Sequence, residues 1–209
     1  MRQVGLYVRG SCPRRSRLRV DADGQWLLPV VRRVSPNCDD RPPGVGVDLV
    51  VIHGISLPPG QFGSGDPEAL FLNRLDWGGH PFYQEIKGLR VSSHVMIERC
   101  GRIVQFVPFH RRAWHAGESV FLGRPRCNDF SVGIELEGDD HTAYDPAQYA
   151  ALEQLLSALR EAFPHLDADR VAGHCHIAPG RKTDPGPSFE WDRVAACFDA
   201  PAGWRPPES

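Results

Sequence analysis

Short apolar runs along the chain predict the strands of a buried sheet. Residues 48–53 form a β-branched apolar run that ends in His53, a pattern typical of a buried strand that presents a polar residue at its end. Residues 92–98 and 102–107 flank a Cys100-Gly101 turn. Because the second of these segments alternates apolar with polar positions, the two predict a hairpin.

Residues 130–137 show the same alternation. Glu135 shares one strand face with Gly133 and Glu137, and the aliphatic residues between them face the opposite way. Residues 170–174 predict one more strand.

The clearest predicted helix begins at Asp145. Asp145 is a good N-cap, Pro146 suits the first helical position, and Gln148 completes a loose capping box. Apolar residues then recur at spacings of three and four as far as Phe163, and Pro164 ends the pattern. The sequence therefore predicts an amphipathic helix packed on a core.

Two shorter helices are predicted at residues 68–75 and 188–198. The first lies in a Gly- and Pro-rich stretch, residues 56–88, and a loop of that length inside a compact domain is usually functional. Strands with interspersed helices and one hairpin predict a single α/β domain, with a central mixed β-sheet flanked by helices.

Composition narrows the possible partners and the compartment. A chain of 209 residues that is 41% hydrophobic can bury one core. Six of its 24 lysines and arginines lie in the first 20 residues, which contain no acid, so the rest carries 18 basic and 26 acidic residues, a net charge of −8. Nucleic acid would favour a basic body, so we expect no such partner. The first 20 residues lack the continuous apolar run of an export signal, and no later segment approaches the ~18–20 apolar residues of a membrane span, so we expect a cytoplasmic protein.

These patterns divide the chain into three parts. Residues 1–23 are predicted to be a basic, disordered extension, residues 24–200 the domain, and residues 201–209 a tail.

Two segments offer residues for a catalytic metal site. A catalytic zinc ion takes three N, O or S ligands and leaves a fourth position for water. His53 ends a buried strand, and His174 ends another, followed by Lys182 and Asp184 in a loop rich in Pro and Gly. The rigid loop could hold these side chains around one point, although an ordinary turn-rich loop is the alternative.

Four motifs give the sequence a family resemblance. They are His53 with the Ser-Leu-Pro-Pro-Gly segment that follows it, and the segments at residues 114–117, 126–138 and 181–189. In this order they resemble the AmpD branch of the zinc amidase family, which also includes phage lysozyme-amidases and peptidoglycan recognition proteins. The similarity runs from about residue 24 to residue 198.

The resemblance implies a ligand set and a catalytic pair. His53, His174 and Asp184 would bind one Zn²⁺, leaving a net charge of +1 that can lower the pKa of bound water to about 7. Glu135 would be the general base, and Lys182 would stabilise the oxyanion. From the residues alone, Glu135 could equally be an exposed strand acid and Lys182 a solvated loop lysine, and the division of roles among Glu135, Asp184 and Lys182 stays open.

The resemblance also implies substrate contacts. Arg90 and Arg126 would grip carboxylates of the peptide, since guanidinium groups bind these in bidentate fashion. Trp114 would pack against the sugar or its lactyl arm, and His115 would contact substrate, support a ligand or simply pack.

Two positions depart from the family pattern. Gly54 stands where a polar residue commonly follows the first ligand, so a possible substrate hydrogen bond is missing. His176 stands two residues past His174, where an acid or amide is more usual, and the strand prediction places both on one face.

The resemblance implies a hydrolase, and we expect it to act as a monomer. The bond cleaved would join 1,6-anhydro-N-acetylmuramic acid to the L-alanine of a stem peptide during peptidoglycan recycling, with an anhydro-muropeptide as substrate. The alternatives are a broader amidase acting on non-anhydro peptidoglycan and a muropeptide-binding protein without catalysis.

Overall fold

The computed structural model describes residues 17–207, and the remaining residues of the basic segment lie outside the described part. The strands are β1 Arg19–Val20, β2 Leu27–Leu28, β3 Val31–Arg32, β4 Cys38–Asp40, β5 Leu49–Ile55, β6 Val95–Ile97, β7 Ile103–Gln105, β8 Arg111–Ala113, β9 Val120–Phe121, β10 Arg124–Pro125, β11 Ser131–Glu137 and β12 Val171–Gly173. The helices are α1 Asp66–Phe71, α2 Phe82–Glu85, α3 Pro146–Ala162, α4 His174–Ile177 and α5 Trp191–Cys197, with 3₁₀ turns at Cys127–Asp129 and Ala168–Arg170.

Six strands form the central sheet, in the order β12-β5-β11-β6-β7-β3. The strands from β12 to β6 run parallel, β6 and β7 pair antiparallel as the predicted hairpin, and β3 runs parallel to β7. The predicted α/β fold with a mixed sheet is therefore confirmed. The two longest strands, β5 and β11, are direct neighbours, and their register places His53 opposite Glu135.

The two faces of the sheet contact different parts of the protein. Val50 and Ile52 of β5 and the aliphatic residues of β11 pack in the main core with the apolar face of α3. On the other face, Leu49 and Val51 belong to a smaller apolar cluster. Farther along this second face, towards the carboxyl ends of the strands, stand His53 and Glu135. The alternation in residues 130–137 predicted this division, because successive strand residues point to opposite faces.

Helix α3 is fixed to the sheet through Gln148. Its Oε1 accepts a hydrogen bond from the Asp145 backbone N–H at 3.0 Å, which is the predicted contact of the capping box. Its Nε2 donates to the carbonyls of Ile97 at 3.2 Å and Glu137 at 3.0 Å. A buried glutamine thus joins the start of α3 to the ends of β6 and β11.

The strand predicted at residues 170–174 is wrong at its end. It stops at Gly173, and His174 begins the short helix α4. The cause is His176, whose Nδ1 accepts the Gly173 backbone N–H at 2.9 Å and so favours the helical turn. His176 is therefore not on a strand face with His174.

The folded body extends past both predicted ends. Leu18 is buried in the main core and β1 pairs with β2, so residues 17–23 are ordered. At the other end, Trp204 packs on Trp191 and donates from Nε1 to Asp169 at 2.9 Å. Within residues 17–207, no helix is both long and apolar enough to cross a membrane.

Replacing Gln148 with alanine tests the connection between α3 and the sheet. We expect Gln148→Ala to lower the free energy of unfolding by about 1–3 kcal/mol, because buried carbonyls lose their donor. Gln154→Ala is the matched control, since Gln154 is exposed on the same helix and bonds only within it; its effect should stay within about 0.5 kcal/mol. Equal losses in chemical denaturation would contradict the structural role of Gln148.

Candidate metal site

Three side chains from distant parts of the chain converge at one edge of the sheet. His53 lies two residues before the end of β5, His174 directly follows β12, and Asp184 lies in the loop after α4. His53 Nδ1 and His174 Nδ1 are 3.0 Å apart, and each lies 3.1 Å from Asp184 Oδ2. These are the three residues that the resemblance implied as ligands.

The cluster has a composition and spacing suited to a metal ion. Two imidazoles and one carboxylate match the ligand sets of catalytic zinc. Ligand atoms bonded to one tetrahedral zinc ion at about 2.0–2.2 Å lie roughly 3.3–3.6 Å apart, and the observed separations of 3.0–3.1 Å lie close to this range. The donor set therefore fits a metal ion such as Zn²⁺ once the donor atoms separate by a few tenths of an ångström.

The convergence follows from backbone contacts. Strands β12 and β5 are parallel neighbours, so the first residue after Gly173 lies beside the carboxyl end of β5. The Cys175 N–H donates to the Asp184 carbonyl at 2.9 Å, which ties the loop back to α4. Gly173 is required at this junction, because a Cβ there would lie 2.8 Å from Pro185 Cδ.

The charge states of His53 and Asp184 are those of metal ligands. Burial lowers the pKa of His53 to about 4, and the neighbouring His174 adds to the shift. Burial opposes ionisation of Asp184, but contacts with His174 and His53 outweigh it and hold the pKa of that carboxyl below its ordinary value. Neutral imidazole and ionised carboxylate are the forms that bind metal.

Glu135 and Glu137 share a strand face but differ in surroundings. Glu137 accepts hydrogen bonds from the backbone N–H groups of Gly63 and Arg99, so it fastens two loops to β11. Glu135 lines the cavity beside the cluster. Burial raises the pKa of Glu135 well above its ordinary value, the charge of Asp184 adds to this, and Lys182 opposes it. Glu135 is therefore the one of the two acids that faces the cleft.

The cleft beside the cluster has an apolar part and a polar part. The apolar part is a cavity of about 220 Å³ whose floor holds the cluster, Glu135, His115 and Lys182. Its apolar walls are Leu57, Leu70, Phe71, Phe82, Ile86, Leu89 and Val91. A wider, polar cavity of about 690 Å³ adjoins it, shares Lys182 and Asp184, and is lined by Asp139, Asp140 and His141. A substrate with a polar and an apolar end can thus span the cluster.

Three of the predicted substrate contacts lie outside these two linings. Arg90 is exposed between Leu89 and Val91 of the apolar wall. Arg126 has a side chain that is 75% exposed and pairs with Asp129 at 3.1 Å. Trp114 is half-buried, and its buried Nε1 has no hydrogen-bond partner among the described residues.

Another residue occupies the space that a side chain at Gly54 would need. A Cβ on Gly54 would lie 2.5 Å from the hydroxyl oxygen of Tyr144. That hydroxyl donates to the Pro185 carbonyl at 2.8 Å. Tyr144, which the sequence analysis did not single out, therefore occupies the space beside Gly54 and holds the residue next to Asp184.

Sequence reasoning also missed Asn128 and Ser131. Asn128 Oδ1 accepts the backbone N–H groups of His115 and Ala116, and Ser131 Oγ lies 3.2 Å from His115 Nε2. Both residues fall inside the motif at 126–138, but nothing local in the sequence shows which distant segment they contact.

The chain is similar to known amidases over most of its length. Residues 42–187 match the N-acetylmuramoyl-L-alanine amidase family. The 1,6-anhydro-N-acetylmuramyl-L-alanine amidase AmpD of Escherichia coli K12 is 54% identical over 168 residues, which cover 80% of this chain and 91% of the relative.

Two solved structures extend the comparison. The crystal structure of a selenomethionine derivative of AmpD has a TM-score of 0.81 at 51% identity and covers 86% of this chain and 98% of its own. The amidase AmiD from E. coli, in complex with anhydro-N-acetylmuramic acid-L-Ala-D-γ-Glu-L-Lys, has a TM-score of 0.54 at 28% identity and covers 85% of this chain and 65% of its own.

Replacing Gly133 with alanine should disturb the packing of the His115 ring on β11. A Cβ at this position would lie 2.5 Å from Cγ of the His115 ring. We expect Gly133→Ala to cost about 1–3 kcal/mol of stability through overpacking. Gly46→Ala is the control, because a Cβ there has no atom within 4 Å. Chemical denaturation of both variants checks this, and equal stability would contradict the close packing of His115 on β11.

Proposed function

The chain belongs to the N-acetylmuramoyl-L-alanine amidase family, and from this premise we propose that it hydrolyses the amide bond between 1,6-anhydro-N-acetylmuramic acid and the L-alanine of the stem peptide. We propose further that His53, His174 and Asp184 bind one Zn²⁺ for this reaction. The observation that carries the proposal is the convergence of the three donor atoms within 3.0–3.1 Å of one another.

The substrate follows from the relatives and the cleft. Relatives at 50–54% identity, matched over 91–92% of their length, are 1,6-anhydro-N-acetylmuramyl-L-alanine amidases. AmiD, which is less similar, is solved with an anhydro-muropeptide bound. We assign the chain to peptidoglycan recycling, because anhydro-muropeptides are the substrates that these relatives' names give.

A bound zinc ion would polarise the amide carbonyl and lower the pKa of water to about 7. The residues around the site would then move the proton and stabilise the charge. Glu135 takes the proton of the attacking water on its carboxylate and passes it to the nitrogen of the departing L-alanine. A buried carboxylate with a raised pKa suits this role, because a catalytic base works best when its pKa lies near the operating pH.

Lys182 stabilises the negative charge that develops on the amide oxygen. It lines the same cavity as Glu135 and Asp184, and a fixed positive charge at this edge of the cleft favours the developing anion.

The remaining predicted residues would bind the rest of the substrate. Arg90 and Arg126 are exposed, so their guanidinium groups can reach carboxylates of the stem peptide. Trp114 would pack against the sugar or its lactyl arm. His115 is buried beside His53, with its Nδ1 2.9 Å from His53 Nε2.

We propose that the enzyme acts as a monomer in the cytoplasm. One chain supplies all three ligands together with Glu135 and Lys182, so the site needs no second copy. The location follows from the proposed role in recycling, and cell fractionation tests it.

The two acids of β11 allow a matched test of the base. We expect Glu135→Gln to retain zinc and to lose about 10²- to 10⁴-fold in turnover, because the proton acceptor is removed. Glu137→Gln should keep most of the turnover and lose about 1–3 kcal/mol of stability, since only its loop contacts change. Steady-state kinetics with metal analysis distinguish them, and wild-type turnover in Glu135→Gln would remove the base assignment.

Metal removal and product analysis test the activity itself. Chelation should abolish hydrolysis and equimolar zinc should restore it. Bound zinc should also stabilise the fold by about 2.7 kcal/mol when free zinc is 100 times its Kd. Mass spectrometry should find free stem peptide and anhydro-N-acetylmuramic acid. Faster turnover of reduced, non-anhydro muropeptides would favour a broader amidase, and binding without products would favour a non-catalytic protein.

The variant Asp184→Ala tests whether Asp184 is a ligand of the zinc ion. We expect it to lose zinc during gel filtration, because two imidazoles alone hold the ion weakly. Asp192→Ala is the control, since Asp192 is exposed and pairs only with Arg205 among the described ion pairs. Retention of stoichiometric zinc by Asp184→Ala would overturn the ligand set.

A further inference from the structure

Both imidazoles of the cluster direct their outer nitrogens at one short segment. His174 Nε2 lies 3.0 Å from the carbonyl oxygen of Ala116. A carbonyl only accepts, so in the neutral ring Nε2 carries the hydrogen and Nδ1 keeps its lone pair. The Arg181 guanidinium also lies 3.4 Å from Nε2, but this contact is longer than the one to the carbonyl. The same carbonyl also accepts from Arg181 at 2.7 Å, which its two lone pairs permit. His174 is therefore held in the tautomer that presents Nδ1 to the cluster.

The neighbouring residue does the same for the other imidazole. His53 Nε2 lies 2.9 Å from Nδ1 of His115. If His53 binds metal through Nδ1, its hydrogen is on Nε2 and His115 Nδ1 accepts it. His115 then carries its own hydrogen on Nε2, which lies 3.2 Å from Ser131 Oγ. Each nitrogen of these two rings thus has a single role, as metal ligand, hydrogen-bond donor or hydrogen-bond acceptor.

A single side chain fixes the segment that supplies both acceptors. Asn128 Oδ1 accepts the backbone N–H of His115 at 3.1 Å and that of Ala116 at 2.8 Å. The His115 ring rests on Gly133, where any side chain would collide with it. Asn128, Ser131 and His115 are all at most 9% exposed, so water does not compete freely for these contacts.

We propose that His115 and Ala116, clamped by Asn128, are the positioning elements of the zinc site. Together they select the Nε2–H tautomer in both ligand imidazoles and fix the orientation of both rings. This inference rests on the proposed function, because it takes the cluster to be a zinc site. It assigns His115 an action through His53 instead of a direct contact with substrate.

A direct readout is the hydrogen bond between the two histidines. In the full-length, zinc-loaded protein labelled with ¹⁵N-histidine, we expect a scalar coupling between His53 Nε2 and His115 Nδ1 across the N–H···N bond. A purely packed His115 gives no such coupling. A hydrogen found on His115 Nδ1, or no coupling in the wild-type protein, would overturn the inference and leave zinc binding unaffected.

Variants test the consequence for the metal. Outer partners of ligating histidines contribute about 10- to 100-fold in metal affinity. We therefore expect His115→Leu to raise the zinc Kd by about this factor in chelator competition, and His115→Gln, whose amide oxygen can accept, to recover most of it. Asn128→Ala should also raise the Kd, and Asn128→Asp, which keeps the acceptor, should stay near wild type.

A control separates positioning from general loosening of the loop. Ser119 bonds to Gly117 and Cys127 in the same region but to neither imidazole. Ser119→Ala should lower stability and leave the zinc Kd unchanged. The inference is overturned if Ser119→Ala weakens zinc as much as His115→Leu, or if His115→Gln recovers nothing while remaining folded.

The same zinc titrations separate a failure of the proposed function from a failure of the positioning role alone. A wild-type protein that binds no zinc contradicts the proposed function. Wild-type binding with unchanged Kd in folded His115→Leu and Asn128→Ala contradicts only the positioning role.

Discussion

The parallel pairing of β5 and β11 is the constraint on which the site depends. Its register sets His53 beside Glu135 and Val51 beside Gly133 on one face, and the aliphatic residues on the other face enter the main core. A slip of one residue in either strand would exchange its two faces, so the apolar residues that build the core also hold the polar groups of the site in place.

Polar groups on such a sheet are costly unless each finds a partner. A buried polar group without a hydrogen bond costs roughly 1–3 kcal/mol by mutational measures, and the site avoids this through long-range contacts. Glu137 takes two backbone N–H groups, His115 lies between His53 and Ser131, and Asn128 takes two more N–H groups. The exceptions are the Nε1 of Trp114, which has no partner among the described residues, and the cluster itself, where the proposed tautomers leave two imidazole lone pairs and a carboxylate pointing at one another. A cation resolves that arrangement.

The sequence predicted what local patterns encode and missed what distant contacts decide. Alternation predicted β11 and the facing of Glu135, and helical spacing with Asp145 and Gln148 predicted α3. The ligand set came from the family resemblance. The helical turn at His174 was missed because it depends on a ring-to-backbone bond from His176. The early start of the domain was missed because it depends on Leu18 reaching the main core, which no periodicity in so short a segment reveals.

The segment at residues 114–117 shows why residue type alone is a weak guide to role. The sequence left His115 open between contacting substrate, supporting a ligand and packing, and the structure shows it buried against β11 with its Nδ1 2.9 Å from His53 Nε2. Because one amide side chain holds both acceptors, the two imidazoles cannot reorient independently. The ring orientations are thus fixed during folding, before any ion arrives, and the entropy of ordering them is not lost at the binding step. A site assembled from three distant segments binds its ion more tightly when that ordering is complete beforehand, because the entropy cost then belongs to folding.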